Sequence, residues 1–224
     1  MMTTVGFDRG FLAELDDADR RRLFAHAHIV SFADGEDILS AGDEALDVYA
    51  MLEGCAEAAL YSSQGRLVLY RDFKPGDIFG ELAVLDGGDR TTFVVAKGPV
   101  RAAVLSKRAF ETLLLDAPGV ARALLAHLAC GIRRLTERIY EQTALNVRHR
   151  LLCELHRRAR ATTEGDAALI APSPRHAEIA AHIGTHREAV TKELSQLARE
   201  GVVVKAREGL RVPSLRALED EIGI

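Results

Sequence analysis

Residues 79–93 read FGELAVLDGGDRTTF, and the rest of the chain is organised around this stretch. Backbone amides beside Gly80 can cradle a phosphate, and Glu81, directly after it, can accept from sugar hydroxyls. Arg90 follows nine residues after Glu81, beyond the Gly87-Gly88 turn, and offers a planar fork of donors to the same phosphate. Sequence texture changes on either side. What lies upstream reads as scaffold for this stretch, and what lies downstream reads as a separate device.

Outward toward the N-terminus, short apolar runs alternate with turn signals from His28 to Ser106. The turns include Ala33-Asp34-Gly35, Ala41-Gly42-Asp43, Glu53-Gly54, Ser62-Ser63-Gln64-Gly65 and Lys74-Pro75-Gly76-Asp77. Regular short strands of this kind predict an antiparallel barrel or sandwich. The strands expected are His28–Phe32, Val48–Leu52, Ala56–Tyr61, Leu67–Phe73, Thr92–Ala96 and Val100–Ser106, with Gln64-Gly65 as a hairpin turn. Ahead of them, residues 8–27 read as one helix with Phe11, Leu12, Leu15 and Leu23 inward and Arg20, Arg21 and Arg22 on a solvated face.

Downstream, strand texture stops at Lys107. A short helix is expected over 107–115, and Pro118 then permits a new start. A long helix is predicted from about Val120 to Leu145. Leu125, Leu128, Ile132, Leu135, Ile139 and Gln142 recur along it at alternating steps of three and four, a heptad seam. Such a helix either packs on its own barrel or forms a parallel homodimer coiled coil. The strict two-position seam favours the dimer, since a helix facing a globular core carries a wider stripe.

A further helix is expected over 147–160, with Leu151, Leu152 and Leu155 inward, then a loop at Thr162–Asp166. Helices follow over Pro174–Ile183 and Arg187–Arg199. Gly184 supplies the left-handed turn between them, and Thr185 can cap the second. Val190, Leu194 and Leu197 form its inner face. The outer face of its first turns presents His186, Arg187, Glu188, Thr191 and Lys192. Such a pair is either an ordinary helical hairpin with a solvated charged face or a helix-turn-helix whose second helix enters a DNA major groove by its N-terminal residues, where Arg or Lys reads guanine and Glu reads cytosine; the adjoining wing and the local basic excess favour the second. Val202–Lys205 and Leu210–Val212 read as a hairpin wing that brings Lys205, Arg207 and Arg211 to phosphates. Ser173, ahead of the first helix, completes the expected DNA-binding set.

Charge supports this division. Net charge over the whole chain is -4, but residues 1–146 hold 16 Lys and Arg against 22 Asp and Glu, whereas residues 147–224 hold 13 against 11. Only the last third, at net +2, suits a polyanion. Hydrophobic content of 48% with mixed charge fits a globular protein. No apolar run reaches the ~20 residues that span a membrane, and the N-terminus lacks signal-peptide order, so a cytoplasmic protein without membrane partners is expected. Cys55, Cys130 and Cys153 stand too far apart in sequence for a zinc or iron–sulfur site.

Together these features resemble the superfamily of the cyclic-AMP receptor protein and the fumarate-nitrate reduction regulator (CRP/FNR). FGELAVLDGGDRTT at 79–92 looks like its phosphate-binding cassette, and IGTHREAVTKEL at 183–194 looks like its recognition helix. The resemblance implies an α+β fold: an N-terminal, jelly-roll-like antiparallel β-roll that binds a cyclic nucleotide (1–117), a long dimerisation helix (118–146) and a C-terminal winged helix-turn-helix (147–224). It implies no cofactor or metal, but an effector, cyclic AMP first, with cyclic GMP or both left open. Gly80 and Glu81 would open a short helix with Glu81 on the ribose 2′-hydroxyl. Arg90 would pair with the cyclic phosphate, and Thr91 would add a hydroxyl. Tyr70 and Phe73 would back the purine, Phe79 and Leu82 would complete the pocket, and Arg134, Leu135 and Thr136 would meet the base from the long helix. Partners implied are palindromic double-stranded DNA, a second copy of the chain and RNA polymerase, with a hinge near Asn146.

Two departures bear on specificity. The Glu81-to-Arg90 gap is similar to that of cyclic-nucleotide-dependent kinases, and Thr91 is similar to cassettes that bind cyclic GMP. Lys192 stands where the founding receptors carry arginine. Iron–sulfur relatives need an N-terminal cysteine cluster, and none precedes Cys55. Haem relatives need axial ligands, and His26 and His28 read better as strand-edge surface. A cupin-type metalloenzyme needs clustered histidines, and none lies between Ser31 and Ser106. An enzyme is not expected.

Overall fold

The computed structural model describes residues 7–40, 46–61, 67–160 and 162–223, apart from the side chains of 61, 67–70 and 164. The expected turns at Ala41-Gly42-Asp43 and Gln64-Gly65 lie outside the described residues. The chain forms two compact units, residues 1–133 and 134–224.

The first unit opens with a 3-10 turn, Phe11–Glu14, then α1, Asp17–Ala25. The single helix expected over 8–27 is therefore broken. Leu15 is extended, and the Asp16 carboxylate accepts from the Asp19 amide at 2.8 Å, which starts a new helix there. Arg20 does not sit on a solvated face. Its guanidinium donates to the Leu12 and Leu15 carbonyls at 3.2 and 3.0 Å and so ties the turn to the helix.

The strands are β1 (His28–Phe32), β2 (Asp37–Leu39), β3 (Val48–Tyr61), β4 (Leu67–Phe73), β5 (Ile78–Phe79) and β6 (Phe93–Leu105). They pair antiparallel in the order β1-β6-β3-β4, with β2 on β6 and β5 on β3. Four of the expected strands are halves of two. β3 runs through the Glu53-Gly54 signal, and β6 runs through Gly98-Pro99. The β3–β6 register shifts on either side of Glu53. Gly54 sits there at φ +86, where a side chain would run into the Pro99 carbonyl. A bulge of this kind bends a strand instead of ending it.

α2 (Glu81–Asp86) lies between β5 and β6, and α3 (Lys107–Asp116) and α4 (Pro118–Ala144) follow the roll. One core cluster joins Phe11, Leu12, Leu23 and Ile78 to Leu105, Phe110 and Leu113, and to Val120, Ala123 and Leu124 of α4. A second, inside the roll, holds Ile38, Met51, Phe73, Phe79, Val94 and Val100. Beyond Leu124, α4 exposes Leu125, Ile132, Leu135, Ile139 and Tyr140. No single helix among the described residues is long and apolar enough to cross a membrane.

The second unit contains the end of α4, then α5 (Val147–Arg160), β7 (Thr163–Glu164), β8 (Ala167–Ile170), α6 (His176–Ile183), α7 (Arg187–Arg199), β9 (Val204–Lys205), β10 (Leu210–Val212) and α8 (Leu215–Ile222). Its sheet order is β7-β8-β10-β9. The wing thus belongs to a larger sheet than the expected hairpin. Residues 163–164, expected as loop, pair with β8. Leu151, Leu155, Ile179, Ile183, Val190, Leu197, Val212 and Leu218 close its core.

An ion cluster binds the end of α4 to α5 and α6. Glu141 pairs with Arg157 at 2.5 Å, and Glu154 accepts from Arg138, Arg157 and Arg158 at 3.3, 3.0 and 2.8 Å. Arg158 continues to Glu178 at 2.9 Å, and Arg138 also donates to the His182 carbonyl at 3.1 Å. Gln142, read as a seam position, accepts from Arg150 at 2.6 Å and lies where a side chain on Gly184 would fall.

Candidate effector site and DNA interface

β5 delivers the 79–93 stretch from the core of the roll. Phe79 is buried and stacks on Tyr49 with ring centroids 5.1 Å apart, and Phe73 packs against it at 4.7 Å. Gly80 then turns the chain at φ +84 into α2. A Cβ there would stand 2.7 Å from the Asp47 carbonyl oxygen and 2.8 Å from an Arg90 nitrogen, so both backbone angle and space demand glycine.

Arg90 is only 5% exposed. Its guanidinium donates to the carbonyls of Gly80 and Asp47, each at 2.7 Å. The charged fork is thereby fixed beside the start of α2. Glu81 is buried there too, and burial pushes its carboxyl up, against the pull of its own backbone hydrogen bond and of Arg71 and Arg90. Arg71 in turn pairs with Asp77 at 3.2 Å and lies 4.8 Å over the Phe73 ring. The fold therefore brings Gly80, Glu81 and Arg90 together: a cation for a phosphate, a carboxyl for a hydroxyl, and amides of a first helical turn.

The other expected effector residues differ in their settings. Phe73 and Phe79 are core, Leu82 and Thr91 are exposed, and Tyr70 is on β4 with its side chain outside the described residues. Arg134, Leu135 and Thr136 are exposed on α4, within the second unit. Two neighbours were not expected. The Asp47 carbonyl holds Arg90, and a backbone acceptor leaves no mark in sequence. His127 on α4 places Nε2 3.9 Å from Glu81 and its ring edge-on to Phe11. No spacing rule links a helix residue to a turn so far upstream.

In the second unit, Gly184 ends α6 at φ +65, and the Thr185 amide donates back to Ala180 at 2.9 Å. The expected cap at Thr185 is corrected: His186 is the N-cap of α7, without a side-chain cap bond. Val190, Leu194 and Leu197 are buried, while His186, Arg187, Glu188, Thr191 and Lys192 share an exposed face. Ser173, Lys205 and Arg207 line a cavity of about 360 Å³ between the start of α6, the second half of α7 and the wing. His176, also on its wall and not singled out in the sequence, contacts Thr191 Oγ1 through Nδ1 at 2.7 Å.

Comparison with known proteins agrees with this architecture. The family model for the cyclic nucleotide-binding domain matches residues 29–117, and that for the Crp-like helix-turn-helix domain matches residues 149–221. The transcriptional regulator SdrP of Thermus thermophilus is 32% identical over 85% of this chain and 92% of its own. The CRP-like cAMP-activated global transcriptional regulator of Mycobacterium tuberculosis is 29% identical over 77% of this chain and 78% of its own. The crystal structure of a CRP/FNR-family regulator from Thermus thermophilus superposes with a TM-score of 0.71 at 26% identity, covering 88% of this chain and 99% of that one. With a nucleotide-type roll, a long helix and a winged helix-turn-helix in one order, the chain belongs to the CRP/FNR family of DNA-binding transcription regulators, which are not enzymes.

Proposed function

We propose that this regulator is a homodimer gated by a cyclic nucleotide, cyclic AMP first, with cyclic GMP or both as the alternative. The carrying observation is the Gly80–Glu81–Arg90 arrangement, with Arg90 buried and held by two carbonyls at 2.7 Å. Arg90 neutralises the cyclic phosphate, amides of the first turn of α2 support it, and Glu81 takes the ribose 2′-hydroxyl. Thr91 and Thr136 bear on the base. The M. tuberculosis relative is named as cAMP-activated, which supports the same choice.

Residues 1–117 serve as the effector domain, 118–146 as the dimer helix and 147–224 as the DNA-binding domain. Leu125, Ile132, Leu135 and Ile139 form an exposed apolar row that a second copy covers. Two recognition helices then reach successive major grooves of a palindromic operator, about 34 Å apart, and RNA polymerase is the downstream partner in the cytoplasm. The last turns of α4 move with the winged unit. Arg138 and Glu141 tie the last turns of α4 to α5, and the Asn146 side chain caps α5 through the His149 amide at 3.0 Å. The effector must bind the DNA-competent state better than the other, since otherwise it shifts nothing.

Titration calorimetry with cyclic AMP and cyclic GMP tests this reading. Arg90→Ala is expected to weaken binding by about 1.5–3 kcal/mol, the worth of a charge-assisted hydrogen bond. Unchanged affinity in a variant that still melts cooperatively removes Arg90 from the site. No binding of either nucleotide to the unaltered chain refutes the effector class.

A further inference from the structure

We propose that His176 is a DNA-contacting residue that engages the duplex more strongly as an imidazolium than as a neutral ring, so that DNA affinity rises as pH falls. The proposal rests on the reading of the winged unit as the DNA-binding part.

Local geometry anchors the ring. His176 Nδ1 lies 2.7 Å from Thr191 Oγ1, which itself contacts the Arg187 carbonyl at 2.9 Å. One ring nitrogen is thereby held on α7. Protonation makes both ring nitrogens donors and adds a positive charge, so the imidazolium offers a phosphate a charge-assisted hydrogen bond that the neutral ring does not. The same bond fixes the hydroxyl of Thr191 on the exposed face of α7.

The surroundings suit a phosphate. His176 lines the 360 Å³ cavity together with Ser173, Lys205 and Arg207. The charged groups around the ring are Arg187 at the start of α7, Lys205 on β9, and Arg207 and Glu208 on the wing side of the cavity. Burial lowers the proton affinity of His176, and Arg187 and Lys205 lower it further. A phosphodiester at the rim reverses the effect of those two cations. Proton affinity is then higher in the complex than in the free protein, and DNA binding takes up a proton. Linkage fixes the sign: affinity is highest below the free-protein value, falls as pH rises between the two values, and levels off above the bound value. One proton limits the slope to about tenfold per pH step.

The test is fluorescence anisotropy with the full-length chain and a labelled random-sequence duplex at low, fixed ionic strength, from about pH 5 to pH 8. A random duplex reports phosphate contacts without an operator, and each series is run with and without saturating cyclic nucleotide. The unaltered chain is expected to lose affinity with rising pH by up to about tenfold per step, and His176→Gln to be flat. Equal slopes in the two proteins overturn the proposal. So does a slope that persists in His176→Gln and vanishes in His186→Gln, because the proton then belongs to His186. Ring resonances of His176 in the unaltered protein give an independent reading: its titration must move to higher pH when the duplex is added, and an unmoved titration also overturns the proposal. Absence of duplex binding at every pH, both without nucleotide and with saturating cyclic AMP or cyclic GMP, refutes the DNA-binding reading, and this proposal with it, whereas pH-independent binding refutes the proposal alone.

Discussion

Glu154→Gln is expected to destabilise the winged unit by about 3 kcal/mol near neutral pH. The carboxylate is 4% exposed and accepts from Arg138, Arg157 and Arg158. Burial pushes its proton affinity up, but Arg157, Arg158, His182 and Arg138 together outweigh burial, and the carboxyl falls from the usual 4.5 to about 2. At about 1.4 kcal/mol per tenfold in proton affinity, that fall corresponds to about 3 kcal/mol. Removing one partner of a buried ion pair costs a similar ~3–5 kcal/mol. Because the folded value is depressed, the stabilisation is complete above 4.5 and is lost as pH falls toward about 2. Total domain stability is typically ~5–15 kcal/mol, so the variant remains folded but weakened. Hydrogen exchange of the α5 amides, at neutral pH and again near the carboxylate range, reads the unit directly. A loss below about 1 kcal/mol at neutral pH, or the same acid dependence in both proteins, refutes the reasoning.

Other variants address the sites. Gly80→Ala places a side chain at φ +84 and within 2.8 Å of Arg90. It should cost about 1–2 kcal/mol of folding stability and weaken nucleotide binding in calorimetry, and full affinity would show that the turn tolerates a Cβ. Lys192→Ala should reduce operator binding while sparing the nucleotide. Equal losses on operator and random DNA in gel-shift competition would make Lys192 a phosphate contact. Ile139→Asp, at a position 63% exposed in the single chain, should leave the fold intact and shift sedimentation to the monomer. A persistent dimer would place the interface elsewhere.

The parts legible in sequence are those where one residue type dictates one backbone state. Gly184 adopts the left-handed conformation expected of it, and Val190, Leu194 and Leu197 face inward as their spacing predicts. The errors arise where local signals compete with tertiary pairing. Glu53-Gly54 looks like a turn, yet β6 alongside converts it into a bulge. The hydrogen bond from the Asp19 amide to Asp16 breaks a helix that hydrophobic spacing runs straight through. The strand at 167–170 is too short for period counting. α8 did leave a readable mark, with Ser214 accepting from the Ala217 amide at 3.0 Å and Gly223 closing the far end. At the candidate effector site, Arg90 and Glu81 are readable, but Asp47 and His127 reach them only through space.

The Arg138 and Glu141 pairings also set where the protein can be cut. Both residues belong to the long helix by sequence, but their partners Glu154 and Arg157 lie on α5. A fragment beginning at residue 147 would keep every element of the winged fold, yet it would leave Arg157 without Glu141 and Glu154 without Arg138. A fragment beginning at residue 134 retains the set. The DNA-binding half is thus best isolated with three turns of the preceding helix attached, and limited proteolysis should spare those turns while cleaving before them.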